Sequence, residues 1–116
     1  MSQNWQPSAD IKTLKKRARI LQNIRVFFAE KNVIEIEVPT LTSASVTEVH
    51  IDSIPVELFS GRAYLHTSPE YPMKRLLAAG LGDCYYLGKV FRQGESGGRH
   101  NPEFTMLEWY RLGFSI

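Results

Sequence analysis

Apolar side chains near the amino terminus recur at spacings of three and four residues. They follow Asp10 and comprise Ile11, Leu14, Ala18, Leu21, Ile24 and Phe28. This spacing is typical of one face of a helix, and aspartate is a residue type that caps helix amino termini. The pattern predicts a helix from residue 11 to Lys31, with Asn32 as a left-handed stop.

Several later segments are rich in β-branched and aromatic residues and predict strands. The first is residues 33–38, which Pro39 ends, and a Ser/Thr-rich loop is expected over residues 40–50. The others are residues 51–59, 63–67, 84–92 and 103–112. Pro55 favours an edge position for its strand or a break in it, and Gly61-Arg62 predicts the turn of a hairpin.

A second helix is predicted over residues 69–80. Ser68 is a capping residue type, Pro69 suits the first helical turn, and Gly80 suits the terminus. Because the helices do not alternate with strands at crossover spacing, the fold class predicted is α+β, with the four later strands in an antiparallel sheet and helices flanking it.

Composition narrows the class of protein. The chain has 116 residues and a mass of 13.3 kDa, which is one domain or less. Its 43% hydrophobic and 22% charged residues are typical of a globular protein. No apolar run approaches the length of a membrane span, and the first residues lack a signal-peptide layout, so we expect a cytoplasmic protein without membrane contact. The single cysteine, Cys84, is expected to be a structural thiol.

Basic residues are concentrated at the amino terminus. Residues 1–31 hold seven lysines and arginines against two acidic residues, although the whole chain carries a net charge of only +2. A basic helix face of this kind either binds an acidic partner such as nucleic acid or is simply solvated. Both interpretations remain open at this point.

The segment between the last two predicted strands carries the clearest chemistry. It is rich in glycine and includes Arg92, Glu95, Arg99 and His100. Arginine forks bind phosphate oxygens, carboxylates accept from amines, and a nearby Phe104 can stack on a base. The segment therefore suits a nucleotide, and a polar surface loop is the alternative.

Residues 91–95 and 100–111 resemble motif 2 of class II aminoacyl-tRNA synthetases of the lysyl branch. Residues 68–77 are similar to the lysyl-type segment upstream of that motif, and residues 28–39 resemble motif 1. Within this class, the opening residues and Glu108-Trp109-Tyr110-Arg111 most resemble the truncated lysyl-tRNA synthetase paralogues that modify elongation factor P. Motif 3 has no counterpart, so residues 1–116 are expected to be the amino-terminal part of a catalytic domain.

The resemblance implies roles for individual residues. Arg92 would be the catalytic residue that holds the α-phosphate of ATP. The other residues implied to bind ATP are Gln93, Gly94, Glu95, Asn101 and Phe104. The residues implied to bind the amino-acid substrate are Ser68, Pro69, Glu70 and Tyr110. The lysyl branch usually has glutamate where Gly94 stands, and whether Glu95 replaces it stays open. On strand parity, Phe104, Glu108 and Tyr110 would floor the site, whereas Leu107 and Trp109 would face the core.

The reaction implied is activation of lysine or (R)-β-lysine as an adenylate, followed by transfer to a lysine of elongation factor P. ATP and Mg²⁺ are the implied cofactors, although no metal ligand is implied within these residues. A homodimer is expected and tRNA is not expected to be a partner. Two alternatives remain: a piece of a lysyl-tRNA synthetase catalytic core, and a non-catalytic dimerisation or RNA-binding module.

Overall fold

The computed structural model describes residues 5–43, 52–94 and 101–113. The elements, in chain order, are α1 (Ile11–Glu30), β1 (Ile34–Glu35), β2 (Leu41–Thr42), β3 (Ile54–Leu58), β4 (Gly61–Leu65), α2 (Glu70–Ala78), β5 (Cys84–Phe91) and β6 (Glu103–Tyr110). The chain divides into two compact units, one up to Asn32 and one from Val33 onward. The α+β class is confirmed.

The first unit is built on α1. The Thr13 N–H donates to the Asp10 carboxylate at 2.7 Å, which caps the helix and lowers the pKa of Asp10. The predicted stop is confirmed, because Asn32 has a φ of 58°. The predicted apolar face is buried unevenly: Phe28 is 4% exposed, but Ile11 is 60% exposed.

The second unit contains two three-stranded sheets. In the first, β5 is central, with β1 parallel to it and β6 antiparallel to it. In the second, β4 is central, with β2 and β3 both antiparallel to it. The expectation that the four later strands share one antiparallel sheet is therefore wrong. A two-residue β1 also replaces the six-residue strand predicted over 33–38, and β2 lies in the predicted loop.

The predicted hairpin forms between β3 and β4, but its turn is not at Gly61-Arg62. Gly61 pairs with Leu58 and Arg62 with Glu57, so the turn comprises Phe59 and Ser60. Pro55 lies on an edge strand, as predicted. A proline is tolerated there because an edge strand leaves one row of backbone N–H groups unpaired.

The core lies between α2 and the sheet of β1, β5 and β6. Its buried members are Met73, Cys84, Tyr86 and Val90, against which Ile36, Val38, Leu77, Phe104, Met106 and Tyr110 pack. The structural role expected for Cys84 is confirmed by this position. The core face of β6 is thus the one that carries Phe104 and Tyr110. Leu107 and Trp109 lie on the opposite face, where Trp109 is 54% exposed, contrary to the prediction that both face the core.

The two sheets are joined at His66. Its backbone N–H donates to the Thr40 carbonyl, and its carbonyl accepts from the Phe91 N–H at 3.0 Å. The end of β5 is thereby fixed next to the segment that leads into α2. Among the described residues, no helix is long and apolar enough to cross a membrane.

Candidate active site

Arg92 lies immediately after β5, at the mouth of the glycine-rich segment. Its N–H donates to the Pro102 carbonyl at 2.9 Å, which holds the two ends of that segment together. One guanidinium nitrogen, Nη2, donates to the Thr67 carbonyl at 3.0 Å. Arg92 is half-buried as a residue, and its guanidinium carbon lies 5.4 Å from the ring centroid of Phe104, within cation–π range. The arginine is therefore held by contacts to two different elements.

Phe104 has two roles in the structure. It pairs with Val90 on the neighbouring strand and packs against the core, and its ring also makes the cation–π contact with Arg92. The stacking on adenine implied for it stays a prediction. Asn101 is exposed and lies one residue before the Pro102 carbonyl that binds Arg92, so the chain brings it close to the arginine.

Gln93 and Gly94 continue the chain from Arg92. The Gln93 N–H donates to the Asp52 carbonyl at 2.8 Å, and its side-chain Nε2 donates to the Ser53 carbonyl at 2.8 Å. Gly94 has a φ of 66°, where a residue with a Cβ is strained. This conformation favours glycine over the glutamate usual in the lysyl branch. Glu95 lies outside the described residues.

Ser68, Pro69 and Glu70 form the turn into α2. Pro69 is fully buried, and the Ser68 hydroxyl accepts a hydrogen bond from the Glu70 N–H at 3.3 Å. The Glu70 carboxylate lies 3.3 Å from the Lys74 ammonium, one helical turn away. Exposed pairs of this type are worth only about 0.3–0.5 kcal/mol, so a substrate ammonium could displace Lys74 from Glu70 at little cost.

Tyr110 lies at the other end of β6 from Phe104. Its hydroxyl donates to the Glu108 carboxylate at 2.9 Å. Burial raises the pKa of Tyr110 well above its ordinary value, and the Glu108 bond and the negative charges of Glu108 and Glu70 raise it further. The Tyr110 hydroxyl thus stays neutral, and the carboxylates of Glu108 and Glu70 make its surroundings electrically negative. Such a cluster favours a cationic group.

Sequence reasoning placed Glu108 on this face without naming it as a site residue. Its spacing of two residues from Tyr110 was the available signal. The Thr67 carbonyl, which accepts a hydrogen bond from Arg92, could not be predicted from the sequence because every residue type has a backbone carbonyl.

The candidate residues are linked in a series that we call the arc. Thr67 accepts a hydrogen bond from Arg92, the next three residues are Ser68, Pro69 and Glu70, and the negative charge of Glu70 contributes to the raised pKa of Tyr110. The described residues hold no group of three or more His, Cys, Asp or Glu side chains able to bind a metal ion. No step below passes through a metal.

A cavity of about 670 Å³ lies beside α2. Its walls include Glu37, Leu41, His66, Ser68, Tyr71 and Arg75. Of the described residues that the sequence predicts for the active site, only Ser68 lines it, so the cavity and the arc from Arg92 to Tyr110 share this one residue.

Comparison with known families places the chain in one class. The profile of the family described as tRNA synthetases class II (D, K and N) matches residues 6–114. The chain belongs to this family, which confirms the resemblance seen in motifs 1 and 2.

Curated relatives are more specific still. The chain is 54% identical over 118 residues to the elongation factor P--(R)-beta-lysine ligase of Vibrio cholerae serotype O1, covering 96% of this chain and 36% of the relative. It is 53% identical over 119 residues to the protein of the same name from Haemophilus influenzae strain PittGG, covering 97% and 37%. It is 56% identical over 116 residues to that from Pseudoalteromonas translucida, covering 95% and 36%. The chain thus spans a little over a third of the length of these relatives.

Proposed function

We propose that this chain is the amino-terminal part of a ligase that activates lysine or (R)-β-lysine with ATP and transfers it to a lysine of elongation factor P. The observation that carries the proposal is the arc from Arg92 through residues 67–70 to Tyr110. It combines a fixed cation at one end with a cluster of carboxylates at the other. The names of the relatives supply the protein substrate.

The arc matches the two charges of the reactants. An amino-acid ammonium near Glu70, Glu108 and Tyr110 would leave its carboxylate directed along the arc toward Arg92. There the carboxylate oxygen would attack the α-phosphorus of ATP, the bond from that phosphorus to the bridging oxygen would break, and pyrophosphate would leave. Arg92 would stabilise the negative charge that gathers on the α-phosphate.

Transfer would follow on the same adenylate. The amine of the target lysine would attack the acyl carbonyl, lose a proton, and release AMP. No side chain needs to form a covalent bond with the substrate, so the described residues act by holding and neutralising the reactants. When bound, Mg²⁺ would neutralise phosphate charge, and we propose that its ligands lie outside the described residues.

The test is the fate of labelled lysine and (R)-β-lysine with ATP, using a protein that carries this chain at the full length of its relatives. We expect label in elongation factor P and none in tRNA. Label in tRNA would instead support a lysyl-tRNA synthetase core. Label in neither, combined with binding of this chain to RNA that weakens as salt rises, would support the RNA-binding module.

A further inference from the structure

The side chain of Gln93 is bonded to a neighbouring segment of the chain. Its Nε2 donates to the Ser53 carbonyl and its backbone N–H donates to the adjacent Asp52 carbonyl, both at 2.8 Å. Ser53 is only 7% exposed, so the segment that accepts these bonds is part of the packed structure, although Gln93 itself is exposed.

These bonds fix the chain directly beside Arg92. Arg92 itself donates two hydrogen bonds, one from its backbone N–H to the Pro102 carbonyl and one from Nη2 to the Thr67 carbonyl. Gln93 adds a pair of bonds to consecutive carbonyls on the next residue. The peptide that sets the direction of the Arg92 side chain is therefore restrained from both sides.

The same geometry argues against a movement of the Gln93 amide toward a nucleotide. One of the two N–H groups on Nε2 is bonded to the Ser53 carbonyl, and a carbonyl that loses its donor next to packed structure is unfavourable. A group already bonded to the protein is better suited to hold its neighbour in place than to bind a ligand.

We propose that Gln93 is a positioning residue. Its hydrogen bonds attach the chain at the end of β5 to residues 52–53 and so hold Arg92 beside Phe104 and Thr67. The proposal deepens the function proposed above and rests on it for its catalytic consequence. Its structural part, the placement of Arg92, is independent of that function.

The first experiment is a double-mutant cycle in the protein at the full length of its relatives, read as lysine-dependent exchange of pyrophosphate into ATP. Gln93→Met removes the donor at similar size, and Gln93→Lys keeps a donor. We expect Gln93→Met to lower kcat by about 10- to 100-fold, the scale of a small misplacement, with less effect on the KM for ATP. We expect Gln93→Lys to recover much of the loss. Placed on Arg92→Ala, Gln93→Met should cause no further loss.

A direct nucleotide contact predicts a different pattern. The losses from Gln93→Met and Arg92→Ala would then add, and Gln93→Met would change the preference for ATP over GTP. Either result overturns the proposal. Equal thermal unfolding temperatures of the two Gln93 variants serve as the folding control.

The second experiment reads the position of Arg92 without catalysis. The protein at the full length of its relatives is treated with phenylglyoxal, which modifies arginine side chains, and the rate at each arginine is followed by mass spectrometry. We expect Gln93→Met to speed modification of Arg92 several-fold and to leave Arg62, which pairs with Glu57 on the hairpin, unchanged. An unchanged Arg92 rate would overturn the proposal. Absence of exchange in the unmutated full-length protein would refute the proposed function and leave this readout standing.

Discussion

The carbonyl oxygen of Lys89 accepts hydrogen bonds from two buried side chains. The Tyr86 hydroxyl donates to it at 2.7 Å and His66 Nε2 donates at 2.6 Å. Because a carbonyl can only accept, the proton of neutral His66 is on Nε2, and Nδ1 is an acceptor. Nδ1 is buried and has no hydrogen-bond partner among the described residues.

Protonation of His66 should therefore oppose folding. Burial lowers its pKa below the ordinary value of 6.5, and the bond to Lys89 only partly offsets this. In acid, the unfolded chain binds a proton at this residue that the folded chain does not. We expect the free energy of unfolding to fall as the pH drops below about 6.5, by at most about 1.4 kcal/mol per pH unit from this group.

Urea unfolding between pH 7.5 and 5 checks this expectation. His66→Gln keeps a side-chain donor for Lys89 and removes the titration, so its stability should depend less on pH than that of the unmutated chain. Identical pH profiles for the two proteins would contradict the assignment.

Gly88 is required by the position of the Tyr86 ring. A Cβ at residue 88 would lie 2.7 Å from the Tyr86 hydroxyl oxygen and 2.8 Å from Cζ. We expect Gly88→Ala to lower the free energy of unfolding by about 1–3 kcal/mol, the cost of overpacking a fitted site. The measurement is urea unfolding, with Gly88→Ala repeated on Tyr86→Ala as the control. The penalty should shrink there, and an unchanged penalty would mean that the clash is not with Tyr86.

More of the candidate site residues were predicted from the resemblance to class II synthetases than from periodicity and residue chemistry. Arg92 and Tyr110 were predicted from motif 2, and the structure gives each a held side chain with a defined partner. The cluster of His66, Tyr86 and Lys89 was not predicted. His66 lies 20 residues before Tyr86 in the sequence, and the acceptor that they share is a backbone atom, which residue type does not reveal.

α2 packs on the sheet of β1, β5 and β6 through the core. Met73, from α2, is 0% exposed in the core, whereas the next residue, Lys74, is exposed. We expect Met73→Ala to lower the free energy of unfolding by about 2–5 kcal/mol and Lys74→Ala to change it by less than about 0.5 kcal/mol. Chemical denaturation of both variants checks this. Similar losses of unfolding free energy in the two variants would show that Met73 is not part of the core.

Local elements were predicted well where the signals were local. The bounds of α1, α2, β5 and β6 fall within two residues of those predicted, because capping residues and periodicity act over one or two turns. The Gly80 stop is confirmed by its φ of 94° and by the bonds Gly80 N–H to Leu77 and Leu81 N–H to Leu76.

The arrangement of the sheets could not be predicted in the same way. Ile34 pairs with Cys84 in parallel, 50 residues along the chain, and nothing in either segment specifies that partner. The predicted orientation of Trp109 was wrong for a related reason. Period-two spacing separates two strand faces, but it does not say which face packs against α2.

At the scale of the whole molecule, we expect a homodimer through residues 11–39. Exposed apolar side chains of this region include Ile11, Ile20, Val26, Phe27 and Ile34, each about half exposed or more. Exposed apolar surface of this kind favours association with a second copy. Light scattering at tens of micromolar should give twice the chain mass. A monomeric mass with intact circular dichroism would contradict the dimer.

Residues 1–116 alone are expected not to form an adenylate. The described residues include Arg92, which we propose to contact the α-phosphate, but they hold no group of three or more His, Cys, Asp or Glu side chains able to bind a metal ion. The chain also spans a little over a third of the length of its relatives. The departing pyrophosphate would therefore be poorly neutralised, and the loss of even one preorganised charge can cost on the order of 10²–10³ in rate.

Lysine-dependent exchange of pyrophosphate into ATP should accordingly be undetectable for the 116-residue chain and present in a protein of the relatives' full length. Arg92→Ala in that longer protein should lower exchange by about 10²–10³-fold, because the same type of preorganised charge is removed. Arg62→Ala, on the hairpin, is the matched control and should leave exchange unchanged. Exchange by the 116-residue chain near the full-length rate would show that these residues already form a complete catalytic unit, with the charges that stabilise pyrophosphate inside it.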